Sequence, residues 1–116
     1  MSKVYFTLTG TKHYFGKEFL KKGTKIRLEK ELDNEYDKEA IKVIYEGLGK
    51  IGYVANSSYT VLGDSMSAGR IYDKIGKKAK AKVVLVTDYG TICSISKKSL
   101  LDNQKKVKKS ETEIEE

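Results

Sequence analysis

The residues best suited to chemistry lie in one stretch, Leu-Asp-Asn-Glu-Tyr-Asp-Lys-Glu-Ala-Ile-Lys-Val, from Leu32 to Val43. Here Tyr36 sets an aromatic face directly beside the carboxylate of Asp37. On a turn just ahead of a packed strand, such a pair can stack on a ring and accept a hydrogen bond at once. The same two residues also have a purely local reading, in which Asp37 caps the turn and Tyr36 covers the edge of the core. A second grouping is Gly10-Thr-Lys-His-Tyr-Phe-Gly16, a short loop bounded by glycines that presents Lys12, His13 and Tyr14 together. His13 is the sole histidine and has no evident partner that would make it a base or a ligand, so it reads as a surface residue. Cys93 sits inside an apolar strand pattern with no base nearby, which reads as a small core residue and not a nucleophile.

Charge points to a class of partner. Lys and Arg total 23 against 16 Asp and Glu, a net charge of +7 on 116 residues. Much of the excess is concentrated between Arg70 and Lys82, where Arg70, Lys74, Lys77, Lys78, Lys80 and Lys82 face a single acid, Asp73. Such a segment is either the footprint of a polyanion binder or a solvated lysine-rich edge that discourages aggregation.

Several classes drop out. One cysteine cannot form an internal disulfide, and one histidine is too few for a soft-ligand zinc site, so neither metal nor cofactor is expected. No Ser-His-Asp or Cys-His pairing and no phosphate-binding glycine loop is present, so the chain is not expected to be an enzyme. The lack of a long apolar run or a signal-peptide pattern leads to the expectation of a cytoplasmic protein without a membrane segment.

These residues need a scaffold, and the sequence describes one. Val4 to Thr9, Thr24 to Leu32, Ala40 to Tyr45, Lys50 to Val54, Lys78 to Thr87 and Thr91 to Ile95 read as strands, with Ile26, Leu28 and, less regularly, Leu32 facing inward in the second. Asp33 and Asn34 are turn formers, Gly47-Leu48-Gly49 is a hairpin loop, and Gly52 inside a strand marks a bulge or a close backbone approach. The apolar run Val83-Val-Leu-Val86 reads as strand buried on both faces. Asn56, Ser57 and Ser58 offer caps to a short helical turn over Tyr59 to Leu62, and Arg70 to Ile75 allows another turn of helix. Asp88-Tyr89-Gly90 is a tight connection. Six short strands with little helix predict a mainly β fold, a small six-stranded antiparallel barrel of OB or SH3 type with one or two short helices, over residues 1–96. Residues 97–116 hold six lysines, five acids and sparse apolar positions, which predicts a charged, mobile tail with room for a short helix at its start. Open faces of such barrels bind single strands through aromatics flanked by cations, a use that the eight tyrosines suit, although they suit a core equally.

The central block Asn34-x-Tyr36-Asp37-x-x-Ala40-Ile41-x-Val43, the loop from Gly10 to Gly16 and the strand Lys50-Ile-Gly-Tyr-Val54 together resemble the HIRAN domain. That module occurs at the N-terminus of fork-remodelling helicases and as free-standing bacterial proteins, and this chain looks more like the bacterial kind. The resemblance implies a barrel that captures the 3′ end of single-stranded DNA, with Tyr36 stacking on the terminal base and Asp37 engaging the 3′-hydroxyl. A carboxylate in a basic groove rewards a free hydroxyl and disfavours a 3′-phosphate or a continuing strand. In the glycine-bounded loop the family's basic and aromatic positions are held by Lys12 and His13, with Tyr14 beside them as a ring. Where helicase members place a lysine on the DNA backbone this chain has Ala55-Asn56-Ser57, leaving Asn56 or a base between Arg70 and Lys82, such as Arg70, Lys74, Lys77 or Lys78, to take that role. Tyr89 is a candidate second stacking ring. The implied partner is single-stranded DNA, bound without catalysis; the alternative is a module that docks an acidic protein through the barrel and its basic patch.

Overall fold

Alternation along each strand closes a barrel. In the computed structural model, which describes residues 3–101, six strands run β1 (Tyr5–Thr9), β2 (Lys25–Lys30), β3 (Ile41–Tyr45), β4 (Gly49–Val54), β5 (Lys78–Thr87) and β6 (Gly90–Ile95). All neighbours pair antiparallel in the order β1-β4-β3-β2-β5-β6, with β6 returning to β1. Every second residue points inward, so Phe6, Leu8, Leu28, Ile41, Val43, Val83 and Cys93 fill the interior and are essentially inaccessible. Each large apolar side chain so buried contributes about 1.5–3 kcal/mol. A one-turn helix, α1 (Ala68–Ile71), is capped by the Ser67 hydroxyl, which accepts from the Arg70 amide, and buries Ala68 and Ile71.

Two bulges decide where side chains point. In β4 the register against β3 shifts: Gly52 lies opposite Val43 but Lys50 opposite Ile44, leaving Ile51 as the extra residue. Gly52 is obligatory there, because a Cβ would meet the Thr9 carbonyl oxygen at 2.6 Å and Leu8 Cδ1 at 2.8 Å. The second shift lies between Val83 and Leu85 in β5. It corrects the expectation of a run buried on both faces. Beyond the bulge the alternation inverts, so Val86 packs on the core and Leu85 is 56% exposed.

Other expectations shift at element ends. Leu32 does not face inward; β2 stops at Lys30, the Glu31 amide bonds the Ala40 carbonyl to close the turn, and Leu32 is exposed. The helical turn expected over Tyr59 to Leu62 is a hydrogen-bonded loop, with the Thr60 and Val61 amides both on the Ser57 carbonyl. The helix expected to begin at Arg70 begins at Ala68 and continues as a 3₁₀ turn over Tyr72–Lys74. Of the segment read as a tail, Lys97–Ser99 forms a 3₁₀ turn whose Ser99 hydroxyl accepts from the Lys80 amide, and Leu100 is buried beside Ile75. The rest of that expectation, residues 102–116, lies outside the described residues. Among the described residues no helix is long and apolar enough to cross a membrane.

Candidate nucleic-acid interface

One side chain shapes the central turn. Asn34 Oδ1 accepts from the backbone amides of both Tyr36 and Asp37 at 2.8 Å, an Asx arrangement that folds the chain tightly and turns Tyr36 outward. Tyr36 is 96% exposed, so the reading in which it covers the core edge does not hold. Asp37 does cap: its Oδ1 accepts from the Glu39 amide at 2.8 Å. Its Oδ2 remains oriented toward Asn56 Nδ2 at 3.4 Å, and Asn56 also reaches Glu39 Oε1 at 3.4 Å. Asn56 Oδ1 in turn accepts from the Gly69 amide, fastening the turn to α1, where Arg70 is exposed. Tyr36, Asp37, Asn56 and Arg70 therefore share one corner of the barrel.

A buttress behind this corner comes from residues that the sequence reading did not single out. Glu31 Oε1 accepts from Asn34 Nδ2 at 3.0 Å and from the Tyr53 hydroxyl at 2.7 Å, while its Oε2 receives Lys50 Nζ at 2.7 Å. Lys50 also donates to the Tyr53 hydroxyl. Lys50 and Tyr53, three apart in β4, would point to opposite faces of a regular strand. The extra residue Ile51 brings both to the outer face. Gly52, the sign of that bulge, was the one hint of this cluster in the sequence. Burial pushes the Glu31 carboxyl up, but the bonds from Lys50, Asn34 and Tyr53 outweigh it and hold the group at about 2. The same bond to Glu31, aided by Tyr53, raises Lys50 above its ordinary value, while burial raises Tyr53.

The cluster extends to the glycine-bounded loop. Lys50 Nζ lies 4.8 Å from the Tyr53 ring centroid and 5.6 Å from that of Tyr14, and the two rings are 6.5 Å apart, tilted by 52°. Positive φ at Gly10 and Gly16 lets this loop fold back over β4, with Thr11–His13 as a 3₁₀ turn. On its other side Lys12 and Tyr89 line a groove of about 390 Å³ between the loop and the β5–β6 turn. Tyr89 is 83% exposed, and His13 is exposed beside Lys12. A line of candidate contacts runs from Tyr36 across Lys50 and Tyr14 to Lys12 and Tyr89.

The basic segment is not one patch. Arg70 lies at the Asp37 corner. Lys77 accepts the Lys30 amide through its carbonyl and Lys78 lies opposite Glu29, while Lys74 ends the 3₁₀ turn. These three are exposed near the C-terminal end of β2. Lys80 and Lys82 project from the outer face of β5, opposite Arg27 and Lys25. Cys93 is buried, and burial pushes its thiol to about 12. Among the described residues no three His, Cys, Asp or Glu side chains gather as a metal site.

Residues 1–72, which include β1 to β4, the central turn and α1, match the family model of the HIRAN domain. The chain belongs to the HIRAN domain family. Its β5 and β6 complete the HIRAN barrel beyond the matched stretch. The crystal structure of the HIRAN domain of human HLTF is similar, with a TM-score of 0.57 and 16% identity over 81% of this chain and 73% of that one. A crystal structure of a protein from Lactobacillus plantarum has a TM-score of 0.54 and 18% identity, over 81% of this chain and 93% of that one. At such identities the likeness is one of fold. No curated protein matches the sequence.

Proposed function

We propose that this HIRAN domain is a non-catalytic module that binds single-stranded DNA and selects its free 3′-hydroxyl end. Nucleic-acid binding follows the family; end selection is inferred from the Asp37 corner. The observation that carries it is the Asn34 cap, which presents an almost fully exposed Tyr36 ring next to a carboxylate oxygen that, among the described residues, only the long contact to Asn56 engages. A terminal base stacks on Tyr36 while its hydroxyl donates to Asp37 Oδ2. With Glu39 adjoining Asn56, the corner is negative, so a 3′-phosphate is repelled and a continuing strand is disfavoured. Tyr14 then offers a second ring, and Lys12 and Arg70 neutralise phosphates on either side. Lysine at position 12 supplies charge without the bidentate fork of arginine, so shape at the corner carries more of the selectivity than charge along the strand.

Fluorescence anisotropy with a labelled oligonucleotide ending in a 3′-hydroxyl or a 3′-phosphate tests the reading. The hydroxyl form is expected to bind about tenfold tighter, and Asp37→Asn, which removes the charge at nearly constant shape, is expected to erase the difference. Equal binding of both forms by the wild type refutes end selection.

A further inference from the structure

A second positive surface among the described residues begins at the end of β2 far from the central turn. In the strand order β1-β4-β3-β2-β5-β6, β2 and β5 stand across the barrel from β1 and β4, which carry the glycine-bounded loop and the Lys50–Tyr53 pair. The outer face of β2 and β5 forms a groove of about 560 Å³. Along it Lys25 lies directly opposite Lys82 and Arg27 opposite Lys80, two like-charge cross-strand pairs. Such pairing works against the fold, because like charges facing each other across an antiparallel ladder repel. Among the described residues only Arg27 of these four is compensated, by Glu29 at 2.8 Å and Glu46 at 3.0 Å. Among the described residues Lys25, Lys80 and Lys82 have no ion pair and no hydrogen bond from their ammonium groups, and Lys3 adds a further cation at the groove's edge. Glu46, already engaged by Arg27, is the sole acid of the lining among the described residues.

We infer that this groove is a second nucleic-acid contact, a track for the phosphate backbone of a duplex arm attached to the strand whose 3′ end is held at the Asp37 corner. The inference rests on the nucleic-acid reading proposed above and extends it to the outer face of β2 and β5, where Lys25 lies at the end of β2 far from the central turn. Three features select the ligand. The cations repeat at every second residue on two adjacent strands, about 6.6 Å apart along each, which makes a regular row and not a single anion pocket. The partly exposed hydroxyl of Ser96 stands beside the row, as suits a phosphate oxygen. No aromatic side chain lines the groove, so unpaired bases have nothing to stack on, and a protein partner would lack the aromatic anchors that carry most interfaces. Of the apolar lining Ile26, Ala81 and Ile95 are buried, so the exposed side chains offer chiefly charge, which suits the backbone of a base-paired arm with its bases already stacked.

The test compares wild type with Lys25→Gln/Lys80→Gln/Lys82→Gln on two probes in 150 mM salt, where the screening length is about 8 Å and a distant charge change has little reach. One probe is a single strand of about 12 nucleotides with a free 3′-hydroxyl; the other is the same strand as the 3′ tail of a duplex. Relief of like-charge repulsion leaves the variant folded, which thermal melting verifies. Wild type is expected to bind the tailed duplex about tenfold or more tighter than the bare strand, with a steeper salt dependence. The variant is expected to lose that preference, flatten the slope of log K against log salt by about 2–3, and keep the wild-type affinity for the bare strand. A wild type indifferent to the duplex arm, or a variant that retains the preference, overturns the inference. If the bare strand does not bind but a blunt duplex binds through these three lysines, the groove stands and the end-capture reading falls.

Discussion

Replacing Glu31 by Gln removes one negative charge from the cluster behind the central turn while keeping its size and its capacity to bond Asn34 and Tyr53. The folded carboxyl titrates at about 2 against an ordinary 4.5, because bonds from Lys50, Asn34 and Tyr53 overcome its burial. A shift of that size is equivalent to about 3 kcal/mol for a fully sheltered group. Glu31 stands at the barrel surface with 13% of its side chain exposed, and screening there reduces the contribution to about 1–2 kcal/mol. The folded value is depressed, so the unfolded chain takes up the proton first. The stabilisation is complete above about pH 4.5 and lost as pH falls toward 2, with more than half gone by about pH 3. Urea unfolding followed by circular dichroism at pH 7 and at pH 2.5 reads this out directly. At pH 7 the variant is expected to be less stable by about 1–2 kcal/mol. At pH 2.5 the two proteins are expected to converge, since the wild type has by then surrendered most of the same interaction. A variant equally handicapped at both pH values, or a wild type no more acid-sensitive than the variant, refutes the assignment of the Glu31–Lys50 pair as the charge that braces the turn.

Tyr36→Ala is expected to leave thermal stability unchanged within about 0.5 kcal/mol, because the ring is 96% exposed, yet to weaken oligonucleotide binding by about 1–3 kcal/mol in anisotropy titrations. Gly52→Ala is expected to destabilise by about 2–4 kcal/mol in urea melts, since the added methyl meets the Thr9 carbonyl at 2.6 Å and backbone cannot swing away. Cys93 is expected to resist thiol reagents in the native protein at pH 8 and to react promptly in denaturant, as a buried thiol held at about 12 carries almost no thiolate.

Local chemistry alone was enough for much of the fold and for the core of the site. Inward residues at every second position announced six strands because a pleated strand has a strict period of two, and Asp33-Asn34 announced the turn because an Asx side chain bonds amides within three residues of itself. Tyr36 and Asp37 were visible as a pair for the same reason. What pairing across the barrel decides was hidden. The Glu31–Lys50–Tyr53 cluster joins residues 19 and 22 positions apart, and it exists only because a bulge in β4 turns Lys50 and Tyr53 to one face. The basic run from Arg70 to Lys82 looked continuous along the chain, but β5 carries Lys80 and Lys82 away from Arg70 to face Lys82's and Lys80's own counterparts on β2, Lys25 and Arg27. Leu85 was misjudged on the same ground, since hydrophobicity names a residue suited to the core while register determines whether it arrives there. Sequence determined which segments are strands and turns and which side chains they offer, because those preferences act over a few residues. Only closure of the barrel decided which of those side chains meet, because strand order and register are set by contacts between residues far apart in the chain.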